Sequence, residues 1–404
     1  MNRALYSGLS ATLAQQLRID VASNNLANVS TIGFKASRVN FQDAYYQTLR
    51  PGTAARADIG GVAPVQVGTG VTASAVSALT DQGAVQRTGQ PLDAAVDGTG
   101  MFVVDGPEGV RYTRDGSFEL DDTNTLIMAS SGLRVQGWSA TDGVVDTAGP
   151  VGDLVFPLRT MRSPKATSTV VMSGNLQSDT AVGDTVSASV NVYDSLGATH
   201  SMALKFTKTA DNEWDVVADC EGTTGTASHL TFTAGGIVST GGTMALTAPM
   251  PGGAADISVS IDLSTATQFV SGEELAAGSQ DGYGSAALQS INIADGGVIE
   301  GAYSDGRPMT LGQIALAGFS GPAGLNRAGN NLYAASASSG TATVGAARSG
   351  GRGNIVGLSL EMSNTDLTGS FLEMILAQRA YQAGARAITT ANTLLDEAIQ
   401  LARG

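Results

Sequence analysis

The chain has 404 residues, enough for roughly two to four domains, and its 22 basic and 36 acidic side chains give a net charge of −14. An acidic chain without a run of basic residues argues against nucleic acid and against an anionic membrane surface as partners. Only 14% of the residues are charged and 52 are glycine, a balance typical of a protein that buries much of its surface against neighbours.

Three features of the sequence bear on where the protein is located: its cysteine content, its apolar segments and its N-terminal stretch. The single cysteine, Cys220, excludes an intrachain disulfide. No segment is apolar and long enough to span a bilayer. The N-terminal stretch lacks the basic, apolar and small-residue order of a cleaved secretory signal. The sequence therefore predicts a protein that is cytoplasmic or is exported without a cleaved signal.

The first predicted element is a helix over residues 3–27, which consists mostly of good helix formers. We expect it to end near Asn24, Asn25 and Asn28, because asparagine competes for backbone groups inside a helix and favours helix ends. Apolar and small polar residues recur at helical spacing along one face. That predicted contact face carries Leu5, Leu9, Thr12, Gln16, Ile19, Ser23 and Leu26.

The middle of the chain predicts mainly antiparallel β structure. Residues 29–75 are glycine-rich and predict an extended connector, and residues 76–159 contain short strands separated by glycine turns. Between residues 185 and 220, three segments alternate polar and apolar side chains, which predicts a meander with one buried face. After residue 282 the earlier strand-and-turn pattern resumes, so the domains are predicted to be nested.

The last predicted element is a helix from Asn364 to Ala402, about 39 residues and roughly 58 Å long. Its heptad spacing predicts one face directed at a partner helix, and a row of small residues allows close approach. The N-terminal helix is the candidate partner. The large row is Leu367, Met374, Tyr381, Ile388, Leu395 and Ala402, and the small row is Ser370, Ala377, Gly384, Ala391 and Ala398.

No catalytic, cofactor or metal site is predicted. The two histidines, His200 and His229, have no acid or nucleophile beside them in a known motif. The glycine turns lack the lysine and hydroxyl residue of a phosphate-binding loop. The Asp121–Asn124 turn lacks the later glutamate of a calcium loop. An enzyme is therefore the weakest of the functional hypotheses.

Two motifs at opposite ends of the chain resemble those of the rod and hook axial proteins of the bacterial flagellum. Residues 24–35 are Asn-Asn-Leu-Ala-Asn-Val-Ser-Thr-Ile-Gly-Phe-Lys. Residues 360–367 are Leu-Glu-Met-Ser-Asn-Thr-Asp-Leu, and residues 374–382 are Met-Ile-Leu-Ala-Gln-Arg-Ala-Tyr-Gln. The segment around Val192–Gly197 is similar to an additional outer domain that hook members carry and the shorter rod members lack, which favours hook over rod.

The resemblance implies an α+β fold with coiled-coil-like terminal helices and nested, mainly antiparallel β domains. We expect an inner helical domain (1–28 and 362–404), a connector (29–75 and 340–361), a β body (76–159 and 282–339) and an outer β domain (160–281). The family motifs and helix rows give the expected assembly positions: Leu5, Leu9, Ile19, Asn24, Asn25, Leu26, Asn28, Gly33, Phe34, Leu367, Met374, Tyr381, Ile388 and Leu395.

The function implied by the resemblance is that of a structural subunit, which polymerises with itself into a curved, flexible tube that transmits torque. Its implied partners are the distal rod protein, the hook cap protein, the hook–filament junction protein and the flagellar export apparatus. Its implied location is extracellular. Two alternatives stay open here: a distal-rod-type axial protein with an insert, and a secreted β-rich adhesin that uses residues 160–282.

Overall fold

The computed structural model describes residues 2–55, 60–156, 161–272 and 274–401. It has a long helix near each end of the chain and β structure between them, so the predicted α+β class is confirmed. The chain divides into two compact units, and the second is inserted into the sequence of the first. The first unit is Met1–Pro157, Ser290–Gly301 and Pro308–Gly404, and the second is Leu158–Gln289 and Ala302–Arg307.

The two helices are α1, Asn2–Ala27, and α2, Leu367–Leu401. α1 ends within the predicted asparagine-rich segment, where Asn28 donates its side-chain amide to the carbonyl of Asn24 over 2.9 Å. The 35 residues of α2 span about 52 Å. Its predicted last residue, Ala402, lies outside the described residues. Neither helix contains, within its described residues, an apolar stretch long enough to cross a membrane.

The segment after α1 is more ordered than the predicted extended connector. It forms strands β1 (Ser37–Asp43), β2 (Tyr46–Arg50), β3 (Val65–Gly68) and β4 (Val71–Ala78). β1 pairs antiparallel with β4, and β2 pairs antiparallel with β3. Pairing the outgoing and returning arms satisfies backbone N–H and C=O groups that a single extended strand would leave unpaired.

The first unit continues with nine short strands separated by turns. Many of those turns contain glycine at positive φ. These strands are Val85–Arg87 (β5), Ala94–Asp97 (β6), Met101–Asp105 (β7), Arg111–Thr113 (β8), Phe118–Leu120 (β9), Leu126–Met128 (β10), Arg134–Thr141 (β11), Val144–Val145 (β12) and Gly152–Asp153 (β13).

The second unit consists mainly of two β-sheets around one apolar core, and its short first strand, β14, belongs to neither sheet. Its strands are Met161–Arg162 (β14), Thr169–Gln177 (β15), Thr185–Tyr193 (β16), Thr199–Ala210 (β17), Glu213–Cys220 (β18), Thr223–Thr224 (β19), Ser228–Phe232 (β20), Val238–Thr240 (β21), Thr243–Ala248 (β22), Ile257–Phe269 (β23) and Glu274–Gln280 (β24). One sheet has the order β16-β17-β18-β20-β21 and the other β22-β23-β15-β24.

The predicted meander is confirmed. β16, β17 and β18 pair antiparallel in sequence order, and their side chains alternate between exposed and buried. Trp214, Phe206 and Leu246 belong to one buried cluster to which both sheets contribute. One pair departs from the antiparallel pattern, because β15 and β23 run parallel. A parallel pair needs a long connection, and here the whole meander supplies it.

The chain returns through nine further strands: Ala286–Ile293 (β25), Val298–Tyr303 (β26), Pro308–Ile314 (β27), Leu316–Gly318 (β28), Asn326–Gly329 (β29), Leu332–Ala334 (β30), Thr343–Gly345 (β31), Asn354–Gly357 (β32) and Ser359–Glu361 (β33). Short 3-10 turns lie at Pro251–Gly253, Asp295–Gly297 and Pro322–Gly324. Returning strands pair with outgoing ones: β27 with β11, β30 with β8, β32 with β6, and β33 with β5. The first unit is therefore built from both ends of the chain.

Candidate assembly site

α1 and α2 pack antiparallel through small residues. A methyl group on Gly384 would lie 2.9 Å from Cγ2 of Thr12, and one on Gly8 would lie 2.8 Å from Cγ1 of Ile388. Further along the pair, Arg18 forms an ion pair with Glu373 at 2.8 Å. The residue numbers of the contacts increase along α1 while those of their partners decrease along α2, so the helices are antiparallel. The two glycines allow the helix backbones to approach closely.

The small row of α2, and not the large row, makes the closest contact. Within α2, four residues are buried: Ser370, Ala377, Gly384 and Ala391. Leu367 and Tyr381, which we predicted on the contact face, are 46% and 41% exposed. Met374, Ile388 and Leu395 are half-buried beside the small row. Large side chains fit only at the flanks, because the glycine and alanine row brings the backbones too close for them.

The predicted contact face of α1 was partly wrong. Leu9 is 48% exposed, and Gln16 and Ser23 are also exposed. Leu5, Ile19 and Leu26 are half-buried. The buried positions are Gly8, Thr12, Ala14, Ala22 and Asn25. They lie on two sides of α1, because the helix contacts α2 on one side and strands on the other, where the Ser10 hydroxyl accepts a hydrogen bond from the amide of Val71 over 3.3 Å.

The helix pair leaves large apolar side chains in solvent. On α2, Phe371, Leu372, Ile375 and Leu376 are 47–58% exposed, and their i, i+4 spacing places them along one side of the helix. We call these four residues the outer stripe. On α1, Tyr6 and Leu13 are 67% and 59% exposed. An isolated pair of helices would therefore expose an apolar surface of the kind that marks an interaction site.

A buried ionic cluster lies where the two family motifs meet. Glu361 is fully buried, and its carboxylate accepts hydrogen bonds from Lys35 and from Arg114, the latter over 2.9 Å. The amide of Gly83 donates to the same carboxylate over 2.9 Å. Burial lowers the pKa of Lys35, while the hydrogen bond to Glu361 acts in the opposite direction. One carboxylate thus joins segments that are more than 200 residues apart in sequence.

The N-terminal motif is fixed by backbone contacts around this cluster. The amide of Gly33 donates to the carbonyl of Glu361 over 2.8 Å. Gly33 has φ 67°, and a methyl group there would lie 2.7 Å from the backbone of Arg114, so both conformation and space require glycine. Phe34 is buried, and the guanidinium of Arg327 lies 5.3 Å from the centre of its ring.

Two asparagines bind backbone groups as a paired strand would. Asn25 donates to the carbonyl of Ser37 over 2.7 Å and accepts from the amide of Ser37 over 2.9 Å, which fixes the turn after α1. Asn364, just before α2, accepts from the amide of Ala36 over 2.7 Å and donates to the carbonyl of Leu79 over 3.0 Å. Asn24 is exposed, and its side chain makes none of these contacts.

Sequence reasoning missed the residues that hold this junction together. Lys35, Glu361 and Asn364 lie inside the quoted motifs. Arg114 follows strand β8 and is far in sequence from both motifs, although it contacts Glu361 in the fold. The signal that was available is that each motif carries a charged residue directly after a large apolar one: Lys35 after Phe34, and Glu361 after Leu360. A charged residue in such a motif is buried only when it is paired.

The second unit holds His200 between two carboxylates, although the sequence showed no acid beside it in a motif. Its Nδ1 lies 3.0 Å from Glu221 and its Nε2 lies 3.1 Å from Asp194. Because ionised carboxylates only accept, both contacts require a doubly protonated ring. The hydrogen bonds to Glu221 and Asp194 raise the pKa of His200, outweighing its burial. Burial raises the pKa of Asp194, but hydrogen bonds from His200 and backbone amides bring it below its usual value.

We expect the second unit to lose stability as the pH rises through the raised pKa of His200. A folded-state pKa above the unfolded value of about 6.5 gives a contribution that is complete below that value and is lost on the alkaline side. Thermal unfolding between pH 6 and 10 should show this loss in the wild type, whereas His200→Gln should show a flatter profile. Equal alkaline slopes for the two proteins would contradict the assignment.

Cys220 is buried, and burial raises the pKa of its thiol, so it is a poor nucleophile. The Asp121 turn is closed by its own residues, because the Asp121 carboxylate accepts from the amides of Thr123 and Thr125 over 2.9 and 2.8 Å. Across the described part of the chain, no group of three His, Cys, Asp or Glu residues is arranged to hold a metal ion.

Four flagellar families match parts of the chain, and two of these matches overlap over residues 165–192. Residues 5–35 match the flagella basal body rod protein family, and residues 95–192 match the flagellar hook protein FlgE/F/G D1 domain. Residues 165–283 match the flagellar basal body protein FlaE D2 domain. Residues 358–401 match the flagellar basal body rod FlgEFG protein C-terminal family. The first and last of these matches contain most of the helix pair together with Lys35 and Glu361, the two motif residues of the buried ionic cluster, which we call the motif junction.

Full-length relatives agree with the domain matches. The chain is 34% identical over 463 residues to the flagellar hook protein FlgE of Treponema pallidum, with 100% of both chains covered. It is 34% identical over 447 residues to that of Borreliella burgdorferi, covering 99% of this chain and 100% of the relative. The Helicobacter pylori flagellar hook protein FlgE2 structure is 14% identical with a TM-score of 0.52, covers 67% of this chain and 98% of its own, and shows the fold alone. The helix pair, the motif junction and these relatives together confirm that the chain belongs to the flagellar hook protein FlgE family, whose members are structural subunits of the flagellar hook.

Proposed function

We propose that α1 and α2 of many copies pack together into one inner tube. The observation that carries this proposal is the outer stripe, which the intrachain pair leaves in solvent. Each of these four side chains is already about half buried, so burying the remainder against neighbouring copies would stabilise assembly by about 1 kcal/mol each before association costs. Leu5, Leu9, Ile19, Leu26, Leu367, Met374, Tyr381, Ile388 and Leu395 are the proposed helix positions, and Asn24, Asn25, Asn28, Gly33 and Phe34 hold the junction beside them.

The β2–β3 hairpin supplies a second surface for contact between copies. Tyr46 and Leu49 are 51% and 53% exposed, and Val65 and Val67 on the facing strand are 41% and 37% exposed. A two-stranded hairpin is marginally stable by itself in water. Packing against another copy would both bury these side chains and fix the hairpin.

The remaining β structure would surround the tube, with contacts polar enough to slide when the hook bends. The proposed domains are an inner helical domain (1–28 and 362–404), a connector (29–75 and 340–361), a β body (76–159 and 282–339) and an outer β domain (160–281). The buried Glu361 cluster would make the helices and the first unit's strands move together. By this reading the chain transmits torque and carries no catalytic site.

The further partners are also proposals. A hook subunit would contact the distal rod protein at one end of the tube and the hook–filament junction protein at the other. The hook cap protein would direct its addition, and the flagellar export apparatus would deliver it without a cleaved signal peptide. Nucleic acid and membrane lipids would not be partners, in agreement with the net charge of −14.

A charge on the outer stripe tests the proposal. We expect Ile375→Lys to fold like the wild type, because Ile375 is already 52% exposed, yet to raise the critical concentration for tube formation about tenfold or more. Thr393→Lys adds the same charge at an exposed polar position of the same helix, about five turns beyond Ile375 and outside the outer stripe, and serves as the matched control. The measurement is sedimentation of polymer with electron microscopy under salting-out conditions. Tubes from Ile375→Lys at the wild-type concentration would contradict the proposal.

A further inference from the structure

The first unit contains a cavity of about 770 Å³, a size typical of ligand-binding sites. Phe319 and Tyr333 form an aromatic wall, and glycine turns at 98–100 and 350–351 form part of the rim. Lys35, Arg114 and Arg352 also line it. The cavity therefore combines apolar walls with three cationic side chains.

The charge of this cavity is opposite to that of the whole chain. Three of its lining residues are cationic and none is acidic, whereas the net charge of the chain is −14. Glu361 compensates Lys35 and Arg114 from a fully buried position. Arg352 receives no such compensation within the described residues: it donates to the carbonyls of Ala346 and Thr343 and to the hydroxyl of Ser349. A cation without a carboxylate remains at the cavity wall.

The ligand chemistry follows from Arg352. Arg114 also lines the cavity, but it is 5% exposed, and its Nη1 and Nη2 already donate to Glu361 and to the carbonyls of Val96 and Gly98. Arg352 is therefore the cation that a ligand in the cavity can reach. Arginine binds carboxylates through two or more N–H groups in one plane, which makes a carboxylate the matching ligand chemistry.

We infer that this cavity receives a carboxylate-bearing turn from a second copy of this chain. The inference rests on the proposed self-assembly and identifies one of its contacts. The chain offers such turns: the side chain of Glu108, in the Gly106–Gly109 turn, is 85% exposed. Charge complementarity between an electropositive cavity and an acidic neighbour favours a second copy over an unrelated partner, because every subunit in a homopolymer brings both surfaces.

Charge reversal at Arg352 provides the first measurement. We expect Arg352→Glu to raise the critical concentration for tube formation about tenfold or more. Arg348→Glu is the matched control, because Arg348 lies in the same loop, does not line the cavity and pairs with Asp295 at the surface. Arg352→Lys keeps the charge but loses the planar guanidinium, and we expect its critical concentration to fall between those of the wild type and Arg352→Glu.

Crosslinking identifies the occupant. A p-benzoylphenylalanine in place of Thr341, an exposed lining residue, should crosslink in tubes to a peptide of a second copy that contains Asp or Glu. Equal effects of Arg352→Glu and Arg348→Glu in folded protein would overturn the inference. So would crosslinks confined to one chain, or crosslinks to the apolar 46–68 hairpin. If tubes assemble normally and Thr341 crosslinks to no second copy, the inference is wrong and the proposed function stands. If the wild type forms no tubes, the inference and the proposed function are both wrong.

Discussion

Glu361→Gln is expected to destabilise the first unit by about 3–5 kcal/mol, the usual cost of breaking a buried ion pair from one side. The carboxylate is fully buried and pairs with Lys35 and Arg114, whose side chains are 5% and 6% exposed. Glutamine keeps an acceptor oxygen but removes the charge. Two buried cations would then lie next to each other without the carboxylate that they share.

Glu373→Gln is the matched control for that change. Glu373 also pairs with an arginine, Arg18, but both side chains are about one-third exposed. Exposed pairs contribute only about 0–1 kcal/mol. In urea unfolding followed by tryptophan fluorescence and circular dichroism, the free energy of unfolding of Glu361→Gln should be several kcal/mol below that of Glu373→Gln. A Glu361→Gln protein as stable as Glu373→Gln would show that the cluster is not a stabilising junction.

Periodicity predicted the helices and the meander because both patterns are local. The alternation at 186–192 places one face in the core of its sheet, and no distant residue is needed to recognise it. The same holds for α2, whose heptad repeat is visible in a single segment. The end of α1 was also predictable, because Asn24, Asn25 and Asn28 favour helix termini for a local reason.

Which positions of a helix make the contact depends on the partner and was only partly predicted. The small row of α2 and Thr12 of α1 were expected on the contact face, and the structure places Thr12 and Gly8 against Gly384. The large apolar residues that we expected beside them, such as Leu9 and Leu367, are about half exposed, because the backbones lie too close together for them. The Glu361 cluster was missed for a related reason: Arg114 comes from a turn 247 residues away in sequence. A single sequence does not show that this turn lies beside the two terminal motifs.

Gly384→Leu is expected to separate α1 from α2 and to prevent tube formation. Even one methyl group at this position would lie 2.9 Å from Cγ2 of Thr12, a β-branched side chain that cannot rotate freely out of the way. Glycine costs a helix about 1 kcal/mol relative to alanine, so the substitution favours α2 taken alone. Overpacking costs about 1–3 kcal/mol for a few added methylenes, and a leucine between two backbones lies at the upper end.

A double-mutant cycle distinguishes this close approach from a general effect on the helix. Gly384→Ala should weaken the contact, and adding Thr12→Ser should restore it, because serine lacks Cγ2 but keeps a hydroxyl that can donate to the carbonyl of Leu9 as Thr12 does over 2.8 Å. Ala387→Leu places the same bulk at an exposed position of α2 and controls for hydrophobicity. Tube yield and thermal unfolding measure each variant. If Gly384→Leu assembles as well as Ala387→Leu, the helices do not depend on this approach, and the inner tube must be held by other surfaces.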